Sequence, residues 1–387
     1  MKLASRMARL GTETAFETLA KAKALERQGR NIVHLEIGEP DFDTPAHIRE
    51  AAKKALDDGF THYGPSPGLM EVREAVARHQ TSRQGYDISA DRIVVTPGGK
   101  PIMFFAIMAL IEEGDEVIYP NPGFPIYESM INFMGGKAVP LQLKEESGFN
   151  ADIDELRSKV TPHTKMIIVN SPNNPCGSVI PDSDLQQIAQ VAVENDLIVL
   201  SDEIYKDFYY EGSHTSITSF PGMKERTIIL DGFSKSYAMT GWRMGYGVLP
   251  EPLVEPISRL MTNSVSCTSS FSQIAGITAL ESSQDSVKEM MAEFGRRREV
   301  VVNGLNALPG VHCPVPKGAF YAFPSIKDTG MSSRDFADRC LNEAGVALLS
   351  GTAFGQYGDG YIRISFANSV KNLEEAFSRM GDFLARG

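Results

Sequence analysis

A chain of 387 residues, 42% hydrophobic and 22% charged, is long enough for two or three domains and has the composition of a water-soluble globular protein. Its formal net charge of -11 argues against a nucleic-acid partner, because phosphate backbones require a basic surface and the only short cationic run, Arg296 to Arg298, reads as one charged helix face. Four well-separated cysteines, at positions 176, 267, 313 and 340, contain no CxxC and suggest neither a disulfide framework nor a zinc site; no metal is expected. The N-terminus lacks a signal peptide's apolar middle, and the longest strongly apolar run, Ile102 to Ile111, is about half a membrane span. A soluble, cytoplasmic location is therefore expected.

Residues 1–30 carry a helical pattern that is strongest from Thr14 to Arg27, and a strand-like piece, Ile32 to Ile37, follows. Gly38-Glu-Pro-Asp-Phe-Asp-Thr-Pro45 breaks the chain, and Pro45 after Thr44 predicts a helix running to about Asp58. Seven apolar runs then alternate with helical segments: Ile93–Thr96, Glu116–Tyr119, Ala138–Leu143, Met166–Asn170, Leu197–Ser201, Thr227–Leu230 and Met244–Leu249. Continuous apolar strands separated by helices imply βαβ crossovers, so the predicted fold is α/β, with a seven-stranded, mostly parallel sheet sandwiched by helices. Beyond Pro250 long helical stretches take over, notably Phe271–Glu281 and Ser286–Leu308. Strand-like Gly318–Phe323, helical Ser333–Ala344, and strand-like Val346–Leu349 and Tyr361–Phe366 then predict a smaller α+β domain. The expected division is 45–285 for the large domain, with 286–387 and the N-terminal arm 1–44 forming the small one.

Several chemically capable residues fall at the ends of these runs. Lys235 lies just past the strand Thr227–Leu230, where open α/β sheets bind ligands, and a lysine amine that is desolvated or placed near other cations can attack a carbonyl to form a Schiff base. Arg243, eight residues on, offers a planar fork to a phosphate. Pro97-Gly-Gly-Lys100 opens a helix after Ile93–Thr96, so the amides of Gly99 and Lys100 are placed to meet an anion; it is neither a Walker loop nor a GxGxxG turn. Asp202 ends the run Leu197–Ser201, either as a helix cap or as a carboxylate delivered to the sheet's edge. Asn170-Ser-Pro-Asn-Asn-Pro-Cys-Gly177 is turn chemistry after another strand. Arg363 sits within the alternating strand Tyr361–Phe366, where a guanidinium needs an anionic partner.

Ser234-Lys235 with Met239-Thr-Gly-Trp-Arg243 resembles the signature of the class I and II aminotransferases, the fold-type I enzymes that depend on pyridoxal 5′-phosphate. Ordered motifs from Gly38 to Arg363 extend the resemblance over nearly the whole chain. The resemblance implies that Lys235 holds the cofactor and moves the proton, that Asp202 pairs with its pyridine nitrogen, and that Asn174 and Tyr205 donate to its phenolic oxygen. It also implies ring stacking by Phe124, a phosphate grip from Gly99, Lys100, Ser234 and Arg243, and a shared-site homodimer in which Tyr63 crosses to the neighbour's phosphate. Arg363 would grip the substrate α-carboxylate, with Asn174 beside it, and Gly38 would permit close approach. The chain departs from the family pattern at Gly232, where many members carry Ser, and at Cys176, where Thr is commoner. Gly-Gly-Lys100 resembles a bacterial aspartate-aminotransferase subgroup whose lysine helps to hold the substrate's distal carboxylate, while Phe16 near the entrance would suit an apolar side chain. The expected activity is ping-pong amino transfer between an L-amino acid and a 2-oxo acid, with glutamate/2-oxoglutarate as one pair and aspartate or a hydrophobic amino acid as the other. A lyase of the same fold, such as a cysteine-conjugate β-lyase, and a non-catalytic binding module are the alternatives.

Overall fold

The computed structural model describes residues 1–386. All seven predicted runs join one sheet whose spatial order is Ile93–Thr96, Gly245–Val248, Thr227–Gly232, Ile198–Asp202, Thr164–Asn170, Glu116–Asn121 and Lys137–Lys144. An eighth strand, Asn150–Ala151, pairs antiparallel with Lys137–Lys144, so the sheet has eight strands rather than seven; two residues are too few to leave a periodic signal. Gly245–Val248 runs antiparallel to both of its neighbours, and the five strands from Thr227–Gly232 to Lys137–Lys144 pair in parallel.

Side-chain alternation explains why these runs are apolar throughout. In Thr227–Gly232, Ile228 and Leu230 join a core with the helices Lys100–Leu110, Ile126–Met134 and Glu251–Val265, while Ile229 joins one with Met70–Gln84 and Ser270–Glu281 on the opposite face. The sheet is thereby covered on both sides. Its register aligns Asn170 with Asp202 and Asp202 with Leu230, which brings the carboxyl ends of the central strands level.

A second core gathers Val33, Leu35, Phe294, Phe320, Phe336 and Phe383, and a three-stranded antiparallel sheet of Tyr321–Ala322, Ile362–Ser365 and Leu349–Ser350 accompanies it. The N-terminal segment reaches it through Val33–His34, which pairs in parallel with Val346–Ala347. Several expectations contract here: strand-like Ile32–Ile37 is reduced to Val33–His34, and Val346–Leu349 is divided into Val346–Ala347 and Leu349–Ser350, which belong to different sheets. The predicted strand Gly318–Phe323 is reduced to Tyr321–Ala322, because Ala319 has φ +54 and its N–H donates to Phe208 O instead of to a sheet partner. The predicted helix Ser333–Ala344 is α-helical only to Arg339 and ends in a wider π turn, Cys340–Ala344. Among the described residues no helix is long and apolar enough to cross a membrane.

Candidate active site

The carboxyl ends of the large sheet and one edge of the second core enclose a cleft of about 540 Å³. Lys235, Asp202, Tyr205, Asn174, Phe124, Ser234, Arg243, Gly99, Lys100, Gly38 and Arg363 all line it. Tyr63 does not: it is 90% exposed on the outer surface.

Lys235 follows the strand Thr227–Gly232 by three residues and donates from Nζ to the carbonyl of Gly38. Burial, reinforced by the charges of Arg363 and Lys100 and opposed by Glu39, pushes its amine down to about 8, so an appreciable fraction is unprotonated near neutrality. The loop is tied at its far side: Thr44 Oγ1 donates to Ala238 O (2.6 Å) and accepts from Trp242 Nε1 (3.0 Å). Thr44 thus serves the Lys235 loop rather than capping its own helix, where Pro45 takes the cap position.

Asp202 is buried at the end of its strand; Oδ2 accepts from Tyr127 Oη (2.6 Å) and Oδ1 from the Ile204 N–H (3.3 Å). Burial raises its carboxyl to about 6, while the Tyr127 hydrogen bond opposes the rise. A cation arriving in the cleft would restore full ionisation. Asp202 therefore does more than the capping role alone would require. Asn170, level with it in the sheet, donates to Asp202 O (3.2 Å) and accepts from the Asn174 N–H (3.0 Å), which fixes the turn that carries Asn174.

Arg363 is 4% exposed. It donates to Asn174 Oδ1 (3.2 Å) and to the carbonyl of Glu36, and its guanidinium lies between the rings of Tyr321 (4.6 Å) and Phe354 (4.9 Å). Its Nε has no partner. With no carboxylate among its direct hydrogen-bond partners, the guanidinium is a buried cation with unfilled donor capacity toward the cleft. Tyr321 Oη shares a 2.7 Å hydrogen bond with Tyr205 Oη, and a Cβ at Gly38 would collide with that same Tyr321 hydroxyl.

On the opposite wall, Gly99 precedes the helix Lys100–Leu110 as its cap. A Cβ at Gly98 would strike the Arg243 guanidinium, and one at Gly245 would strike the Gly98–Gly99 peptide; glycine lets the arginine and the helix N-terminus share one small space. Gly232 faces Gly245 across the antiparallel pair, where a side chain would press on backbone 3.0 Å away. Phe124 packs edge-on to Tyr127, with ring centroids 5.6 Å apart, and lies 5.3 Å from Lys100 Nζ.

The arrangement offers a nucleophilic amine, a buried carboxylate, an anion cradle with an arginine fork and, across the cleft, a second arginine. It fits pyridoxal 5′-phosphate on its own chemistry, since an aldehyde, a basic ring nitrogen and a phosphate each find a matching group. Sequence reading did not assign Tyr127, Asn170, Tyr321 or Glu13. Tyr127 stands in the same motif as Phe124 and was within reach of inspection; Glu13, from the N-terminal arm, carries no local signal.

The sequence pattern of the family described as "Aminotransferase class I and II" matches residues 30–380. The chain is 46% identical over 353 residues, covering 90% of each, to "Aromatic-amino-acid aminotransferase 2" of Thermococcus litoralis. It is 45% identical over 355 residues, covering 91% of each, to "Aspartate aminotransferase" of Pyrococcus abyssi. Its fold superposes with TM-score 0.90 and 42% identity on the crystal structure of an aromatic aminotransferase from Pyrococcus horikoshii, covering 94% of this chain and 99% of that one. With its motifs gathered in one cleft and this similarity running nearly end to end, the chain belongs to the class I and II aminotransferases, which use pyridoxal 5′-phosphate.

Proposed function

We propose that Lys235, Asp202 and Arg363 divide the work of moving an amino group between an L-amino acid and a 2-oxo acid in a ping-pong cycle. The observation that carries this reading is their convergence, from three separate parts of the chain, on one cleft. Bound pyridoxal 5′-phosphate supplies a ring that takes up the electron pair left at the substrate's α-carbon. Lys235 would hold the cofactor through Nζ, and its free amine, pushed down to about 8 by burial, suits it to carry a proton away from and back to carbon near neutral pH. Asp202 would keep the ring nitrogen protonated, with Tyr127 holding the carboxylate in place. Asn174 and Tyr205 would donate to the ring's phenolic oxygen, and Phe124 would stack on the ring. Arg243, Ser234 and the amides of Gly99 and Lys100 hold the phosphate. Arg363 grips the α-carboxylate with Asn174 alongside, and Gly38 leaves room for the substrate's main atoms.

The family resemblance assigns Tyr63, which is exposed and lies outside this chain's own cleft, to the cofactor phosphate of a second copy in a homodimer. Residues 45–285 form the cofactor-binding domain and 1–44 with 286–387 the small domain. The enzyme works in the cytoplasm.

For the substrate, Arg243 and Arg363 are committed by this reading and Lys235 is the reacting amine. Lys100 is the cleft cation left for a second carboxylate, and glutamate/2-oxoglutarate is accordingly one pair. Phe16 and Phe124, at the mouth and on the wall, provide apolar surface for an aromatic or aliphatic amino acid as the other, with aspartate as the acidic competitor. Relatives of nearly equal identity are named for aromatic amino acids and for aspartate, so similarity does not choose between them. The test is a half-reaction panel, with purified holoenzyme mixed with single amino acids while the cofactor absorbance is followed. Conversion of the cofactor to its amine form by glutamate and by at least one hydrophobic amino acid is expected; elimination products without that conversion would make the protein a lyase.

A further inference from the structure

Glu13 occupies the cap position of the helix Thr14–Arg27, yet its side chain caps nothing. It reaches into the cleft instead and forms an ion pair with Lys100. Glu13 through Phe16 all line the cleft, and Phe16, 60% exposed, contributes an apolar ring to it. Lys100 is thus held between two unlike neighbours: the Glu13 carboxylate and the face of Phe124.

We propose that Glu13 is the exchangeable counter-ion of Lys100: its carboxylate holds the place of a substrate's second carboxylate when the entering side chain is apolar, and yields it when a dicarboxylic substrate enters. The proposal rests on the reading of Lys100 as the distal-carboxylate site. A ping-pong enzyme must admit both substrate kinds to one cleft. A bare lysine would favour the acid; Glu13 offsets that bias by pairing with the ammonium when the entering substrate brings no second carboxylate. The pair is partly solvated, with side-chain exposures of 42% for Lys100 and 18% for Glu13, so it is weak enough to be opened by a competing carboxylate. Glu13 thereby acts as a specificity-determining residue.

The test compares Glu13→Gln, Glu13→Asp and Lys100→Met holoenzymes in half-reactions with glutamate and phenylalanine, together with calorimetric binding of the unreactive pair succinate and butyrate. In Glu13→Gln, kcat/KM for glutamate should rise about fivefold, that for phenylalanine should fall about twofold, and succinate should tighten relative to butyrate, the size expected for one partly exposed ion pair. Glu13→Asp, a methylene shorter, should shift the ratio in the same direction by less, which guards against a misfolded Gln variant. If Lys100→Met weakens glutamate alone while Glu13→Gln leaves glutamate and succinate unchanged or weaker, Lys100 keeps its role and Glu13 loses the one proposed here. If Lys100→Met affects glutamate and phenylalanine alike, the distal-carboxylate site itself is wrong and the Glu13 proposal falls with it.

Discussion

Replacing Arg363 by Lys tests the assignment of the substrate's α-carboxylate most directly. The guanidinium spends one N–H on Asn174 Oδ1 at 3.2 Å and another on the Glu36 carbonyl, and it is sandwiched by Tyr321 and Phe354, so its plane is fixed before any substrate arrives. A lysine at this position keeps the charge but cannot present two parallel donors while also serving both of those acceptors. Loss of one charge-assisted hydrogen bond from the transition state costs about 1.5–3 kcal/mol, or roughly 10- to 200-fold in kcat/KM. Because every amino acid carries the same α-carboxylate, the loss should be uniform across glutamate, aspartate, leucine and phenylalanine, and half-reaction rates measured over a range of concentrations will show it. Preserved fold is checked by near-ultraviolet circular dichroism, since the residue is buried. A loss confined to acidic substrates would place Arg363 at the side-chain end of the pocket and overturn the orientation proposed for the substrate.

Lys235→Ala should abolish turnover while leaving a folded protein, because it removes both the covalent anchor and the proton carrier; transamination above a few per cent of the parent rate would disqualify Lys235. Asp202→Ala should still bind the cofactor through its phosphate but lose most of the rate of α-proton removal, with Asp202→Glu milder; an unchanged single-turnover rate would reduce Asp202 to a structural group held by Tyr127. Mixing inactive Lys235→Ala chains with inactive Tyr63→Ala chains should restore activity at about a quarter of the sites, since a random mixture is half hybrid dimers, each with one complete site. A fully active monomer would remove Tyr63 from the site altogether.

The parts of the fold that were legible in the sequence share one physical property, which is that a buried parallel strand must be apolar on both faces. Ile93–Thr96 and Thr227–Leu230 stand out for that reason, and each is found within a residue or two of its expected bounds. The second core was less legible because its strands are two to four residues long and its backbone bonds are made to loops, as at Ala319, rather than to sheet neighbours. Among site residues, those in dense motifs beside strand ends, such as Asn174 and Lys235, could be placed in advance. Tyr321 could not, because an aromatic in Gly318-Ala-Phe-Tyr321 looks like core until the hydroxyl is seen against Tyr205. Glu13 is harder still: its partner is 87 residues away, and no local pattern links them.

The least legible component is the charge beneath the Lys235 loop. In the sequence, Lys206 is one more lysine after a strand, yet it is 3% exposed, and its Nζ lies 2.6 Å from Asp231 Oδ1. Asp231 is wholly buried; it also accepts from Tyr246 Oη (2.6 Å), Gln80 Nε2 (3.0 Å) and the Gly232 N–H (2.7 Å), the last peptide before the loop. On the loop's other side, Asp207 accepts from Ser236 Oγ (2.5 Å) and from Arg83 (2.7 Å). Burial opposes ionisation of Asp207, but the Lys206 and Arg83 charges outweigh it and hold the carboxyl well below its usual range. Two carboxylates thus clamp the residues flanking Ser234-Lys235, and both draw on Lys206. A buried carboxylate without a cation would cost several kcal/mol, so this clamp exists only because lysine and arginine come with it. The cations make the clamp possible, the clamp holds the ends of the loop, and the loop in turn sets where the reacting amine stands relative to Asp202 and Arg363.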